Sequence, residues 1–216
     1  MDKDLLERLI VENQSDRITD LLNNNNGLAR ELTSQGISPI ILASFYNRPE
    51  IAKIIASYCT NLNIYEAIAI GDQEIVLNLL LENPGLVNEF SNDGFPPLVL
   101  ASLFGFFNLV DTLISNGANL ELPTENGFVV YPLHAACAGN HLKVVQLLLQ
   151  NGAKPNVVQS SGLTPLHIAA EYGNIEMIIE LLENGALTHF KMENGKTASQ
   201  LAKEKGHVEI SEILSN

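Results

Sequence analysis

GLTPLHIAAEYGNIEMIIELLEN, Gly162 to Asn184, encodes two short helices and the turn between them. Thr164 is suited to cap a helix start, and Pro165 fits the first turn, where a missing N–H costs nothing. Leu166 to Ala170 is apolar, and Gly173 stops the helix. A second apolar run at helical spacing extends from Ile175 to Leu182. Asn184-Gly185 follows it, where a left-handed residue closes a helix.

The unit recurs along the whole chain. With Gly173 as ruler, the equivalent positions are Gln14, Asn47, Gly71, Gly105, Asn140, Gly173 and Gly206, separated by 33, 24, 34, 35, 33 and 33 residues. A period near 33 with two helices per period marks a stacked helical repeat. Seven units are expected, at about 1–30, 31–60, 61–88, 89–121, 122–155, 156–188 and 189–216, forming one domain. The first and last carry polar residues among their apolar ones (Asp2, Lys3, Glu7 and Arg8; Lys203, Glu204, Lys205 and Glu209), as terminal units that close a stack must. The third is about nine residues short. Its helices are expected near 64–70 and 73–82, but Asn61 to Asn63 leaves no room for the loop that precedes the other helix pairs. The fifth has two extra residues within Phe128-Val129-Val130-Tyr131, which should lengthen its loop.

Thr164-Pro165-Leu166-His167-Ile168-Ala169-Ala170, Gly173-Asn174 and Leu181-Leu182-Glu183-Asn184-Gly185-Ala186 resemble the ankyrin repeat family. Pro132-Leu133-His134-Ala135-Ala136 with Asn151-Gly152-Ala153, and Asn116-Gly117-Ala118-Asn119, carry the same likeness. The resemblance implies an all-α solenoid of about seven helix-turn-helix units with short hairpin loops and capping units at both ends. It also implies that hairpin tips and inner helices line a concave face that binds a protein partner. His134 and His167 then tie neighbouring turns together; neither has partners at a spacing suited to catalysis or metal binding.

Composition narrows the function further. Leu, Ile and Ala dominate an apolar content of 46%, Trp is absent, and charged residues make up 17%. That is helical packing and not disorder. A net charge of −13 argues against nucleic acid or an anionic membrane surface. The charge is uneven: from Ile54 to Leu142 there is no Lys or Arg, against nine acids. Cys59 and Cys137 lie far apart and suggest reduced thiols in a cytoplasmic protein. The N-terminal MDKDLLERLIVEN lacks the form of a signal peptide, and no apolar run reaches the roughly 20 residues of a membrane span.

No phosphate loop, nucleophile elbow, paired-His zinc motif or EF-hand occurs, so no catalytic residue, cofactor or metal is expected. The candidate site is a partner surface. The residues just before each ruler position, with the hairpin tips, offer Phe45, Tyr46, Asp93, Phe95, Leu103, Phe104, Glu125, Phe128, Glu171 and Tyr172. Aromatic anchors within an acidic rim predict a monomeric scaffold for a protein with a basic surface. The alternatives are an inhibitor or immunity-type protein masking a basic site on an enzyme, and an exported effector.

Overall fold

In the computed structural model, which describes residues 2–215, the chain is a single file of helix pairs. In order these are α1 (Asp2–Val11) with α2 (Ser15–Asn24), α3 (Pro39–Phe45) with α4 (Pro49–Ser57), and α5 (Ile64–Ile70) with α6 (Gln73–Glu82). Then come α7 (Pro97–Phe104) with α8 (Phe107–Ser115), α9 (Pro132–Ala138) with α10 (Leu142–Gln150), α11 (Pro165–Tyr172) with α12 (Ile175–Glu183), and α13 (Ala198–Glu204) with α14 (Val208–Ile213). No strand occurs among the described residues. Odd-numbered helices pack on one another in an inner row, and even-numbered helices form an outer row.

Residue size explains the two rows. Ala43, Ala69, Ala101, Ala136, Ala170 and Ala202 are buried on the inner helices, where a single methyl lets neighbouring backbones approach closely. The outer helices fill their interfaces with larger groups such as Ile51, Val76, Val110, Val145 and Ile178, all buried. Within each pair, a left-handed residue makes the turn: Asn47, Gly71, Gly105, Asn140, Gly173 and Gly206 all have positive φ. At the first pair the ruler position shifts from the expected Gln14 to Asn13, whose φ is 59°. Asn tolerates this region far better than Gln, because its short side chain bonds locally.

Four hairpin loops close with the same bond, from Thr33 N–H to Ile37 O, Ser91 N–H to Phe95 O, Gln159 N–H to Leu163 O, and Met192 N–H to Lys196 O. The fifth unit closes from Thr124 N–H to Val130 O, so its loop is longer by the two inserted residues. Successive tips are joined by backbone bonds: Glu125 N–H to Gly94 O (2.8 Å), Ser160 N–H to Phe128 O (3.3 Å) and Glu193 N–H to Ser161 O (3.1 Å). The third unit has no hairpin, and α5 begins directly after Asn61–Asn63.

The interior divides at this short unit. One buried apolar cluster runs from Leu6 to Ala69 and another from Ile64 to Leu214. Polar groups lie between them. Asn63 caps α5, and Glu66, only 4% exposed, accepts from Asn63 N–H (3.1 Å) and from the Ser38 hydroxyl (2.8 Å). The Arg30 guanidinium lies 3.8 Å from the same carboxylate and also donates to Asn61 O. Ser44 donates to Ala69 O (2.7 Å).

Candidate functional site

All ten residues singled out from the sequence lie at the ends of the inner helices or in the hairpin tips, an edge interrupted at the third unit, which has no hairpin. Apart from the acids Asp93, Glu125 and Glu171, they fall into two groups. Phe45, Phe95, Leu103 and Phe104 are half-buried. The Phe45 ring lies 5.7 Å from Phe95 and 5.6 Å from Phe104, and Phe104 meets Phe106 edge-on at 6.2 Å. Tyr46, Phe128 and Tyr172 are open to solvent, at 46%, 56% and 66% exposure for Tyr46, Tyr172 and Phe128 respectively.

The ring cluster joins units that are not neighbours. Phe45 belongs to the second unit, and Phe95 and Phe104 to the fourth. Between them the third unit offers Ala69 where its neighbours carry Phe45 and Leu103-type bulk, so the rings meet across a methyl group. Beside this contact lies a cleft of about 360 Å³. Phe45, Pro49, Leu103, Phe104 and Phe106 form its apolar walls, Ala69 lies at its base, and Ser44, Asn47, Gly139 and His141 complete the lining. No Asp, Glu, Lys or Arg side chain lines it.

His141 is held firmly on this lining. Its Nε2 donates to Leu103 O at 3.0 Å, and its ring lies where a Cβ on Gly105 or Gly139 would come within 2.4 Å. Glycine at both positions is what admits the imidazole. The pattern recurs in the last two units: His207 donates to Glu171 O (3.2 Å) and covers Gly173. In the fourth unit the Phe106 ring covers Gly71 in the same way. Phe106, His141, Ser44, Asn47 and Pro49 were not among the sequence candidates. The usable signal was Ala69, a small residue flanked in the repeat by Phe45 and Leu103.

The candidate acids differ in how committed they are. Asp93 accepts from the Ser91 hydroxyl (2.5 Å). Glu171 pairs with Lys205 Nζ at 2.7 Å, and that hydrogen bond raises the Lys205 pKa. Glu125 is exposed, with no side-chain hydrogen bond or ion pair among the described residues. Near the missing hairpin, Tyr65 donates to Glu89 O (2.9 Å), and burial, with the charges of Glu89 and Asp93 adding, pushes its phenol up to about 12. At the longer fifth tip, Val129 has φ 56°, a costly conformation for a β-branched residue, next to the exposed Phe128 ring.

His134 and His167 lie at the third position of α9 and α11. His167 Nδ1 pairs with the Thr164 hydroxyl (2.8 Å), and its Nε2 donates to Lys196 O of the next unit (3.3 Å). His134 Nε2 likewise donates to Leu163 O (3.0 Å). Tyr131 occupies the place of Thr164, however, so the buried His134 Nδ1 has no partner. Burial, reinforced by His167 and opposed by the Leu163 hydrogen bond, pushes His134 down to about 4. Both cysteines are free thiols, and burial raises the pKa of each. Among the described residues no three His, Cys, Asp or Glu side chains gather where a metal ion could be held, and no helix is long and apolar enough to cross a membrane.

Stacked helix pairs joined by left-handed turns, with histidines bonding from one unit to the next, define a helical-repeat solenoid. The chain matches the family model described as ankyrin repeats (3 copies) over residues 133–216. It is 28% identical over 157 residues to the probable 26S proteasome regulatory subunit p28 of Saccharomyces cerevisiae, covering 66% of this chain and 68% of that protein. It is 34% identical over 86 residues to alpha-latrocrustotoxin-Lt1a of Latrodectus tredecimguttatus, and 28% identical over 117 residues to human BCL-6 corepressor-like protein 1. Those matches cover 40% and 54% of this chain but only 6% of each relative.

Proposed function

We propose that this protein is a non-catalytic interaction scaffold that binds a protein partner with a basic surface along the edge built from the hairpin tips and inner-helix ends. The observation that carries this reading is the exposure of Phe128 and of the uncommitted Glu125 on one hairpin tip, within a span without Lys or Arg. Aromatic anchors surrounded by acids suit a partner that brings apolar groups among cations. Tyr46 and Tyr172 extend the same edge in either direction. The relatives are compatible with such a role: one is named as a regulatory subunit of an assembly and another as a corepressor-like protein.

The test is capture of a partner from native lysate by the wild type and by a Phe128→Ala/Tyr172→Ala double variant. Capture should be released by raised salt and reduced in the variant. Equal, salt-independent capture at equal thermal stability overturns the reading. The cation-free span also supports a narrower version, in which the edge masks a basic site on an enzyme. Purified captured partner should then lose activity on adding the scaffold, and full activity in the complex excludes that version.

A further inference from the structure

The geometry points to the cleft between the second and fourth units as a socket for one bulky apolar side chain, aromatic or leucine, of a partner segment that carries Lys or Arg beside it. This rests on reading the surrounding edge as protein-binding, and it adds the position of the anchor. The cleft exists because of a departure from the repeat. Ala69 stands where Phe45 and Leu103 stand in adjoining units, so the missing bulk is left as space among Phe45, Phe104 and Phe106.

Its properties suit such an occupant. About 360 Å³ falls in the range of pockets that enclose a ligand group. Its lining is mostly apolar and holds no Asp, Glu, Lys or Arg, so an ionised group would lose its hydration there without a carboxylate, ammonium or guanidinium partner. The walls are also fixed before binding: the rings hold one another, Ser44 is tied to Ala69 O, and His141 is clamped between Gly105 and Gly139. A preformed socket avoids the ordering cost that a mobile one would impose. Charge then selects the flanks. The third and fourth units, which supply Ala69, Leu103, Phe104 and Phe106, carry no Lys or Arg, and their acids include Glu89 and Asp93, whose charges reach Tyr65 of α5; Arg48, between the lining residues Asn47 and Pro49, is the cation on the second-unit side. Cations on the partner therefore meet attraction on the side of the third and fourth units, away from Arg48, and anions meet repulsion there.

The test is selection of a randomised twelve-residue peptide display library on the whole protein. Selected sequences should share one position filled by Phe, Trp, Tyr or Leu with Lys or Arg nearby. Adding one such peptide should shift the backbone amide resonances of Ser44, Leu103, Phe104 and His141. Replacing its anchor by Ala should weaken binding by about tenfold or more. Leu103→Trp, which fills the cleft, and Leu103→Glu, which charges it, should each do the same; the one that retains the wild-type melting temperature is decisive. No enrichment overturns the proposal. Basic peptides that bind elsewhere, insensitive to both variants, overturn the socket but leave the scaffold reading intact. Enrichment of acidic peptides overturns the basic-partner reading itself.

Discussion

At the scale of single residues, one substitution in the repeat leaves a measurable defect. In the sixth unit Thr164 pairs with His167 Nδ1; in the fifth, Tyr131 cannot, and the His134 Nδ1 lone pair is buried without a donor. Tyr131→Thr should supply that donor. We expect stabilisation of about 1 kcal/mol, the usual worth of satisfying one buried group, less what is lost from Tyr131 packing, read from chemical unfolding. The same burial makes His134 a source of acid sensitivity. Its folded pKa of about 4 lies below the ordinary 6.5, so between these values the unfolded chain binds a proton that the native state refuses. Stability is therefore full above pH 6.5, falls as pH drops toward 4, and should lose up to about 3 kcal/mol over that window. His167 is shifted in the same direction. Unfolding midpoints at several pH values check this. A His134→Gln variant should show a shallower slope, and an unchanged slope would assign the sensitivity to other groups.

At the scale of elements, α5 shows how a helix start can be rebuilt when its loop is lost. The other inner helices from α3 onward begin at or just before Pro, or at Thr197, after a hairpin. With only Asn61–Asn63 available, α5 is capped by Asn63 and Glu66 acting reciprocally, and Glu66 also reaches back to Ser38 in the second unit. Glu66→Ala removes an acceptor from two groups and should cost about 2–3 kcal/mol, whereas Glu66→Gln keeps one carbonyl oxygen and should cost about half of that, as seen in melting curves. The helix pattern was legible because each start and stop has a local chemical cause: Thr164 and Pro165 before α11, Gly173 after it. The bounds expected for α5 and α6 match those observed. The left-handed position at Asn13 was missed by one residue because Asn and Gln are adjacent there and only backbone geometry separates them. The site was legible only in part. Side-chain exposure at Tyr172 or Phe128 follows from position in a unit, but contact between Phe45 and Phe104 depends on what the intervening unit omits, and no local pattern reports that.

At the scale of the whole molecule, a linear stack of this kind is held together mainly by interfaces between successive units. Two apolar clusters divided near Glu66 and Ala69 make that junction the natural boundary between blocks of stability. The Phe45 ring contacts cross it and couple the blocks beyond nearest neighbours. Phe45→Ala should therefore do more than remove a half-buried ring. We expect a loss of about 2 kcal/mol and earlier hydrogen exchange in residues 2–60 than in 97–204, where the wild type would show closer protection in the two blocks. Uniform loss of protection along the chain would instead mean that the junction is as cohesive as the rest.

The absent third hairpin has a mechanical consequence too. Elsewhere, tip-to-tip backbone bonds stiffen the edge on the hairpin side, as from Gly94 to Glu125 and from Ser161 to Glu193. At the third unit that edge lacks its own rung, and side chains alone span the interval. Bending the rod will concentrate there, as in a spring with one thinned coil. Tension applied between the two ends should thus spread the Phe45 and Phe104 rings before it separates any regular pair, so that stretch, as well as sequence, sets the width of the cleft.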